Sequence, residues 1–588
     1  MADRLQDHFS SVFSVPKNDT NSLLYLNPPQ ISVPLSNFVA TTMDIERAIS
    51  EIKNQSACPQ SEIPAVVLKN CKSTLSYPLS LFLNKSFREG TVPKAYKRQQ
   101  VIPLHKGGLK TDPTKYRPIV LTPHPIKICE RVVRNKLVDY FEANDIFSAN
   151  QHGFRKNRSC LTQLISHTTY ILENLVSGND VDTIYIDYSK AFDKIDHAIL
   201  LQKLKYYNVP EDYLNWIKSF LADRCQFVLI NGAKSYKVDV TSGVPQGSVL
   251  GPLLFILFIN DLVSEISTSN IYTFADDTKI VHPIHSYLDT ISLQTDLNSI
   301  ITWSLNNNMK LNEEKFELIT HRPPNKFHSN GLFKELPFNN IYTTYSTGKD
   351  DIYPSEVVRD LGILINSELN WGDHIHSLCK KGRQLSGWIL NVFHSRDKSV
   401  MLALFNSLVR SRMEYCSQIW DPHKVGEINA LEQVQRNFTR RIQGVQGLNY
   451  WQRLKHLGIM SLQRRREKLL ILFIWRICHG SAPNDINMQF YKNRNSYVKA
   501  VVRPMPRVRG KLLTMYENSF AIKAAKLWNK LPHTITIIDS FSIFKKRLEA
   551  YLKLFPDNPP INGYYHVNKN SLLEYQTILT HDSEPESV

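Results

Sequence analysis

The chain has 588 residues and a formal net charge of +17, from 71 Lys and Arg against 54 Asp and Glu. That length allows a large core and roughly two to four domains, and apolar and charged fractions of 42% and 21% exclude wholesale disorder. The basic excess favours a polyanionic partner. Its eight cysteines sit at irregular positions without the short paired spacing of a zinc knuckle, which suits reduced thiols. The opening Met1-Ala2-Asp3-Arg4-Leu5-Gln6-Asp7 is too polar and acidic for a secretory signal, and the longest apolar runs, Val249 to Ile259 and Leu469 to Trp475, are too short to cross a bilayer. The expectation is a soluble intracellular protein, nuclear or cytoplasmic, with no membrane partner.

Residues 1–90 offer no defensible chemistry; Asp44 to Ile49 opens an amphipathic helix, and another begins after Ser61-Glu62-Ile63-Pro64. Val101 to Gly108 reads as a strand and turn, followed by Tyr116-Arg117-Pro118-Ile119-Val120-Leu121. Lys106 and Arg117 beside glycines suit a triphosphate, although spacing alone favours a solvated basic hairpin. Helices are predicted over Ile126 to Leu137 and Leu161 to Leu175, with the basic loop Gln151 to Ser159 between them; His152 lacks a partner at metal-ligand spacing and reads as structural. The strand Asp182 to Ile186 ends at Asp187, and Asp193 and Asp196 read as turn or helix-cap residues. A helix over Asp212 to Asp223 and a hairpin turning at Asn231-Gly232 follow. Gly243 to Ser248 then forms a loop into an apolar helix closed by Asn260-Asp261.

Next come the strands Ile271 to Phe274 and Thr278 to Val281, with Asp276 and Asp277 at the hairpin tip between them. Two adjacent aspartates are usually just a solvated turn. Asp187 at the end of another strand changes that reading, because three acids on neighbouring strand tips are what a two-magnesium phosphoryl-transfer site needs. Further on, a helix over Thr295 to Asn306 leads to Met309 to Lys315, a polar insertion or long hairpin spans Arg322 to Thr347, and Val357 to Ile365 forms another hairpin. Helices are predicted over Ser377 to Phe393, Ser399 to Arg412, Glu427 to Gln443 and Leu462 to Cys478. The clusters Lys380-Lys381-Gly382-Arg383, Arg436 to Arg441 and Arg464-Arg465-Arg466 suit a duplex backbone or plain solvated faces. Arg503 to Lys511 is a stiff basic arm.

Asp187-Tyr188-Ser189-Lys190-Ala191-Phe192-Asp193 resembles the first catalytic motif of reverse transcriptases. Ser242-Gly243-Val244-Pro245-Gln246-Gly247-Ser248 resembles their template-and-nucleotide motif, and Phe274-Ala275-Asp276-Asp277 their metal-binding turn. Four specified residues recur by chance on the order of once per 10^5 positions, so the acid pair alone is weak and the three motifs in order are strong. The wording is closest to the jockey-like branch of non-long-terminal-repeat retrotransposons. Ser61-Glu62 departs from the Asp-Gly usual in that family, so no template role is carried onto it.

The resemblance implies an α+β right-hand polymerase with fingers, an antiparallel-sheet palm, a helical thumb and a mostly helical basic carboxyl-terminal domain. Divided accordingly, residues 1–90 are a connector, 91–371 fingers and palm, 372–480 thumb, 481–575 the basic domain and 576–588 a disordered tail. It implies RNA-directed DNA polymerisation, with an RNA template, a DNA primer or target and deoxynucleoside triphosphates as partners, and two magnesium ions held by Asp187, Asp276 and Asp277. Lys106, Arg117, Phe192, Gln246 and Gly247 become nucleotide-binding residues, with Phe192 under the sugar; simple core packing is the competing reading for that ring. Lys315 lies near the leaving pyrophosphate, as an acid, a charge stabiliser or merely a solvated lysine. Leu361 and Gly362 fall in the primer-grip hairpin. Family members carry an endonuclease ahead of this region, and endonuclease activity is expected to be absent from this chain. The rivals are an RNA-dependent RNA polymerase and a non-catalytic nucleic-acid-binding relic of a retrotransposon.

Overall fold

Strand-length runs with period-two alternation produce the sheet on which the acids sit. In the computed structural model its order is Asn270–Phe274, Asp277–Ile284, Asp180–Ile186, Glu317–His321, with every neighbouring pair antiparallel. Because successive side chains leave a strand on opposite faces, Ile184, Ile271, Ile280 and Leu318 enter one core while Val181, Tyr272, Val281 and Ile319 enter another. The first core also takes the helices His124–Ala143, Gly251–Ile259 and Tyr287–Asn306; the second is built largely from helices beyond residue 371. A sheet covered on both faces is a rigid base, and the acids project from one end of it. The structure describes residues 1–14, 29–59, 62–324, 344–486, 488–492, 498–502, 509–554 and 571–573.

A second sheet is mixed. Arg98–His105 pairs antiparallel with Tyr116–Leu121 and parallel with Arg224–Ile230, which turns at Asn231-Gly232 into Ala233–Lys234. Both turn residues have positive φ, 49° and 81°, the geometry that favours this dipeptide in a two-residue loop. The amino-terminal helix Ala2–Ser10 seals this sheet with Leu5 and Phe9 against Val101, Tyr116, Val120 and Val228. Residues 1–90, which gave no chemistry in sequence, thus include a lid on the sheet that carries Lys106 and Arg117.

Several expected elements are displaced at their ends. The helix expected from Thr295 begins at Tyr287, behind a capping box formed by Ser286 and Asp289. The helix expected over Ser399 to Arg412 is Lys398–Leu404 followed by a π-helical turn, Phe405–Arg410. Leu462–Cys478 forms as expected, but its arginine cluster does not face solvent. Arg464 and Arg466 are each 1% exposed, and the three guanidiniums pair with Glu467, Glu414 and Asp421. A buried cation must be paired, so this cluster holds helices together and is withdrawn as a duplex contact. Ser61, most of the Arg322 to Thr347 insertion, most of the Arg503 to Lys511 arm and the tail from 576 lie outside the described residues.

One buried ion pair ties the acid-bearing sheet to the hairpin Val357–Asp360 and Ile363–Asn366. Lys279, 2% exposed, donates to Asp360, 5% exposed, and to Gln163 Oε1 at 3.1 Å. Burial pushes the Asp360 carboxyl up, but Lys279 and His167 outweigh it and hold it down at about 2. Lys279→Met leaves that carboxylate buried and unpaired, and should cost about 3–5 kcal/mol in chemical denaturation. Lys279→Met with Asp360→Leu should recover most of the loss, because no orphan charge remains. An unchanged midpoint in the single variant would mean that the pair contributes nothing.

Candidate active site

The chain bends back at Phe274-Ala275-Asp276-Asp277, where Phe274 pairs with Asp277. Only Ala275 and Asp276 are therefore in the loop; Asp277, expected at the tip, is already the first residue of its strand. Asp187 follows the neighbouring strand Asp180–Ile186, and Asn312 fixes it twice, through its backbone N–H to Asp187 O at 2.9 Å and its Nδ2 to Oδ2 at 2.8 Å. Lys315 Nζ also reaches Oδ2, at 3.1 Å. Asp187, Asp276, Asp277 and Lys315 line one cavity of about 610 Å³.

The mixed sheet and the loop before Gly251–Ile259 also line this cavity, with Lys106, Arg117, Gln246 and Gly247. Gly247 has φ +125°, and a Cβ there would lie 2.4 Å from Val120 O. Val120 N–H donates to Gln246 O at 2.7 Å, so the loop is laced to the strand bearing Arg117. The glycine's freedom serves this backbone approach, a use that the motif's wording did not suggest. Phe192 lines the same cavity and stacks on Phe255 at 4.2 Å and 11°. Of the expected site residues, Leu361 (φ +44°) and Gly362 do not line it; Tyr415 Oη donates to Leu361 O at 3.0 Å in their hairpin.

Some lining residues were not foreseen. Asp193, read as a turn residue, accepts from Gln246 Nε2 at 2.7 Å, which commits one end of that amide. Lys190 lies beside it with φ +55°. Phe154 meets Phe192 edge-on at 6.1 Å between centroids. The signal for Asp193 and Lys190 was their place inside the Asp187 motif; nothing in sequence paired Phe154 with Phe192.

The electrostatics are those of a split site. Lys106, Arg117, Lys190 and Lys315 stand in one cavity with Asp187, Asp193, Asp276 and Asp277. Loss of water pushes the Asp276 carboxyl up, and Asp187 adds to this. Asp277 opens to the cavity, yet the surrounding protein pushes it up to about 6, with Asp276, Asp360 and Asp187 adding repulsion. Loss of water likewise holds Lys106 below the usual lysine range, followed by the charges of Lys190 and Arg117. Carboxylates that raise one another in this way lack a cation between them, and hard oxygen donors of this kind fit a divalent ion such as magnesium. Among the described residues, no three His, Cys, Asp or Glu side chains converge closely enough to form a ready-made metal cluster. Asp187 is turned to Asn312 and Lys315 instead.

The raised Asp277 carboxyl gives a pH prediction. A proton competes with a cation at this group as pH falls through 6, so the magnesium needed for half-maximal turnover should rise about fourfold between pH 7.5 and 5.5. In EDTA the sign concerns stability. The folded chain binds this proton more tightly than the unfolded chain, so the favourable contribution is complete below the ordinary 3.8 and lost as pH rises through about 6. Asp277→Asn should flatten that part of a Tm–pH profile; an identical profile in the variant would exclude Asp277 as its source.

Residues 104–348 match the family model described as reverse transcriptase (RNA-dependent DNA polymerase). This segment is a reverse transcriptase domain. It contains every residue that lines the acid-bearing cavity. Beyond the domain the likeness continues: the chain is 27% identical over 433 residues to "RNA-directed DNA polymerase from mobile element jockey" of Drosophila melanogaster, covering 71% of this chain and 45% of that protein. It is also 27% identical over 440 residues to "Probable RNA-directed DNA polymerase from transposon BS" of the same species, covering 71% and 46%. A third relative, from transposon X-element, is 26% identical over 429 residues, covering 71% and 45%. The chain spans about half the length of the curated relatives it matches. No helix among the described residues is long and apolar enough to cross a membrane.

Proposed function

We propose that the chain is an RNA-directed DNA polymerase of a non-long-terminal-repeat retrotransposon, extending a DNA primer on an RNA template. The reading rests on one observation above all: four acids, four cations and the Phe192 ring share a single cavity inside the reverse transcriptase domain. In this reading the mixed sheet is the fingers, the antiparallel sheet the palm, the helices within residues 372–480 the thumb, and residues 481–575 the basic carboxyl-terminal domain. Asp187, Asp276 and Asp277 would hold two magnesium ions, which supply activation of the primer 3′-hydroxyl and neutralisation of the departing pyrophosphate.

The chain's own residues do the rest. Lys106 and Arg117 neutralise the triphosphate, with Arg117 able to engage two phosphate oxygens at once. Gln246, steadied by Asp193, and Gly247 line the same cavity as the acids. Phe192 forms the floor under the sugar. Lys315, held at Asp187 Oδ2 by a single hydrogen bond, carries an ammonium that would stabilise charge developing on the pyrophosphate. Leu361 and Gly362 approach the primer from the hairpin that Lys279 and Asp360 lock to the acid strand. Lys380, Lys381 and Arg383, exposed on the helix Gly372–Val392, suit the backbone of the product duplex.

The test is run-off extension of a labelled DNA primer annealed to RNA, with deoxynucleotides and magnesium. Full-length complementary DNA is expected, and EDTA should abolish it. A folded preparation that extends no primer would refute the proposal.

A further inference from the structure

The acid turn contains a backbone problem that its own residues do not solve. Ala275 sits at φ +57° in a two-residue hairpin loop, a conformation that disfavours side chains other than glycine. A non-glycine residue held there costs on the order of 1 kcal/mol or more, and persists only when its surroundings impose it. Its N–H is also buried, so it needs an acceptor.

The loop at Gln151 supplies both. Gln151 is 3% exposed, and its Oε1 accepts from Ala275 N–H at 2.9 Å and from Gly153 N–H at 2.7 Å. Backbone bonds run alongside: His152 N–H to Thr273 O at 2.9 Å, and Thr273 N–H to Asn150 O at 3.0 Å. Gly153 lies so close that a Cβ on it would stand 2.3 Å from Ala275 N. The loop is itself anchored away from the site, since Arg155 donates to Glu142 through Nε at 3.2 Å and Nη2 at 2.7 Å and to Ser148 O at 2.7 Å. One side-chain oxygen thus joins a braced loop to the residue directly before Asp276.

We infer that Gln151 is a positioning residue for the acid turn: through Ala275 N–H it sets the direction in which Asp276 and Asp277 present their carboxylates to a divalent cation. It does not touch substrate, and it rests on the polymerase reading above. Losing its oxygen leaves two buried N–H groups without an acceptor, a loss that falls on the turn rather than on the core.

The probe is manganese, followed by electron paramagnetic resonance on the full chain with RNA template, a dideoxy-terminated DNA primer and the next deoxynucleotide. Gln151→Met keeps the length and removes the acceptor, whereas Gln151→Glu keeps an acceptor oxygen. Gln151→Met should weaken manganese binding about tenfold and lower kcat about 10²-fold with the deoxynucleotide KM within about threefold. Gln151→Glu should stay within about threefold of wild type in manganese affinity. A merely structural glutamine predicts a lower Tm and a smaller active fraction, with manganese affinity unchanged in the folded fraction. That result, or equal loss in both variants, would overturn the inference. If wild type itself neither extends primer nor binds manganese, the polymerase reading fails instead.

Discussion

Asp276→Asn should lower primer extension by about 10³-fold or more, equivalent to about 4 kcal/mol of barrier, while leaving the chain folded and RNA binding within about threefold of wild type. The substitution keeps the size of the side chain and removes one anionic oxygen donor. It also removes repulsion from a cavity whose carboxyls are pushed up by lost water and by one another, so the metal-free protein should be no less stable than wild type. Asp187→Asn should lose as much activity, since its Oδ2 is the oxygen shared by Asn312 and Lys315. RNA binding should survive both changes, because neither touches the exposed cations Lys380 and Lys381 that the proposal assigns to the nucleic-acid backbone. Extension rates and filter binding on one preparation separate these effects. Near-full extension by Asp276→Asn would remove this turn from the chemistry.

Phe192→Val should raise ribonucleotide incorporation relative to deoxynucleotide by about 10²-fold, a change of about 3 kcal/mol in relative kcat/KM. The ring occupies two environments. It stacks on Phe255 and meets Phe154, contacts that belong to packing, and it lines the catalytic cavity, where a 2′-hydroxyl would meet it. Valine keeps an apolar floor and removes the outer atoms of the ring. Lost stacking should cost about 1–2 kcal/mol of stability as well, less than full deletion of a buried phenylalanine. The two consequences are separable: a packing defect lowers the Tm and affects both sugars equally, whereas a steric gate changes their ratio. An unchanged ratio would leave Phe192 as a core residue only and would reopen RNA polymerisation as the activity.

The antiparallel sheet was legible because its strands alternate or run apolar between clear turns, and because Asp187 and the acid pair stand at strand ends. Helix starts were less so: Tyr287–Asn306 opens with a capping box eight residues ahead of the strongest apolar period. The arginine run at 464–466 was misread because charge pattern alone does not reveal burial; Asp421 and Glu414 lie more than forty residues upstream of the arginines they pair with. The docking of Ala2–Ser10 rests on two apolar side chains, Leu5 and Phe9, too few to announce an interface. Within the cavity, the motifs carried Asp187, Asp276, Asp277, Lys106, Lys315 and Phe192. Gln151 went unnoticed because its role depends on one hydrogen bond to a backbone N–H 124 residues away. Contacts of that kind leave no periodicity to read.

The proposed reaction copies RNA into DNA in this cavity, one templated base at a time. The most direct measurement offers the purified chain a DNA primer annealed to RNA templates that differ only in the next base, with each deoxynucleotide supplied singly in magnesium. The complementary deoxynucleotide should be incorporated on each template, and Asp276→Asn should abolish it. Incorporation that ignores the template base, or none with any combination, would contradict the proposal.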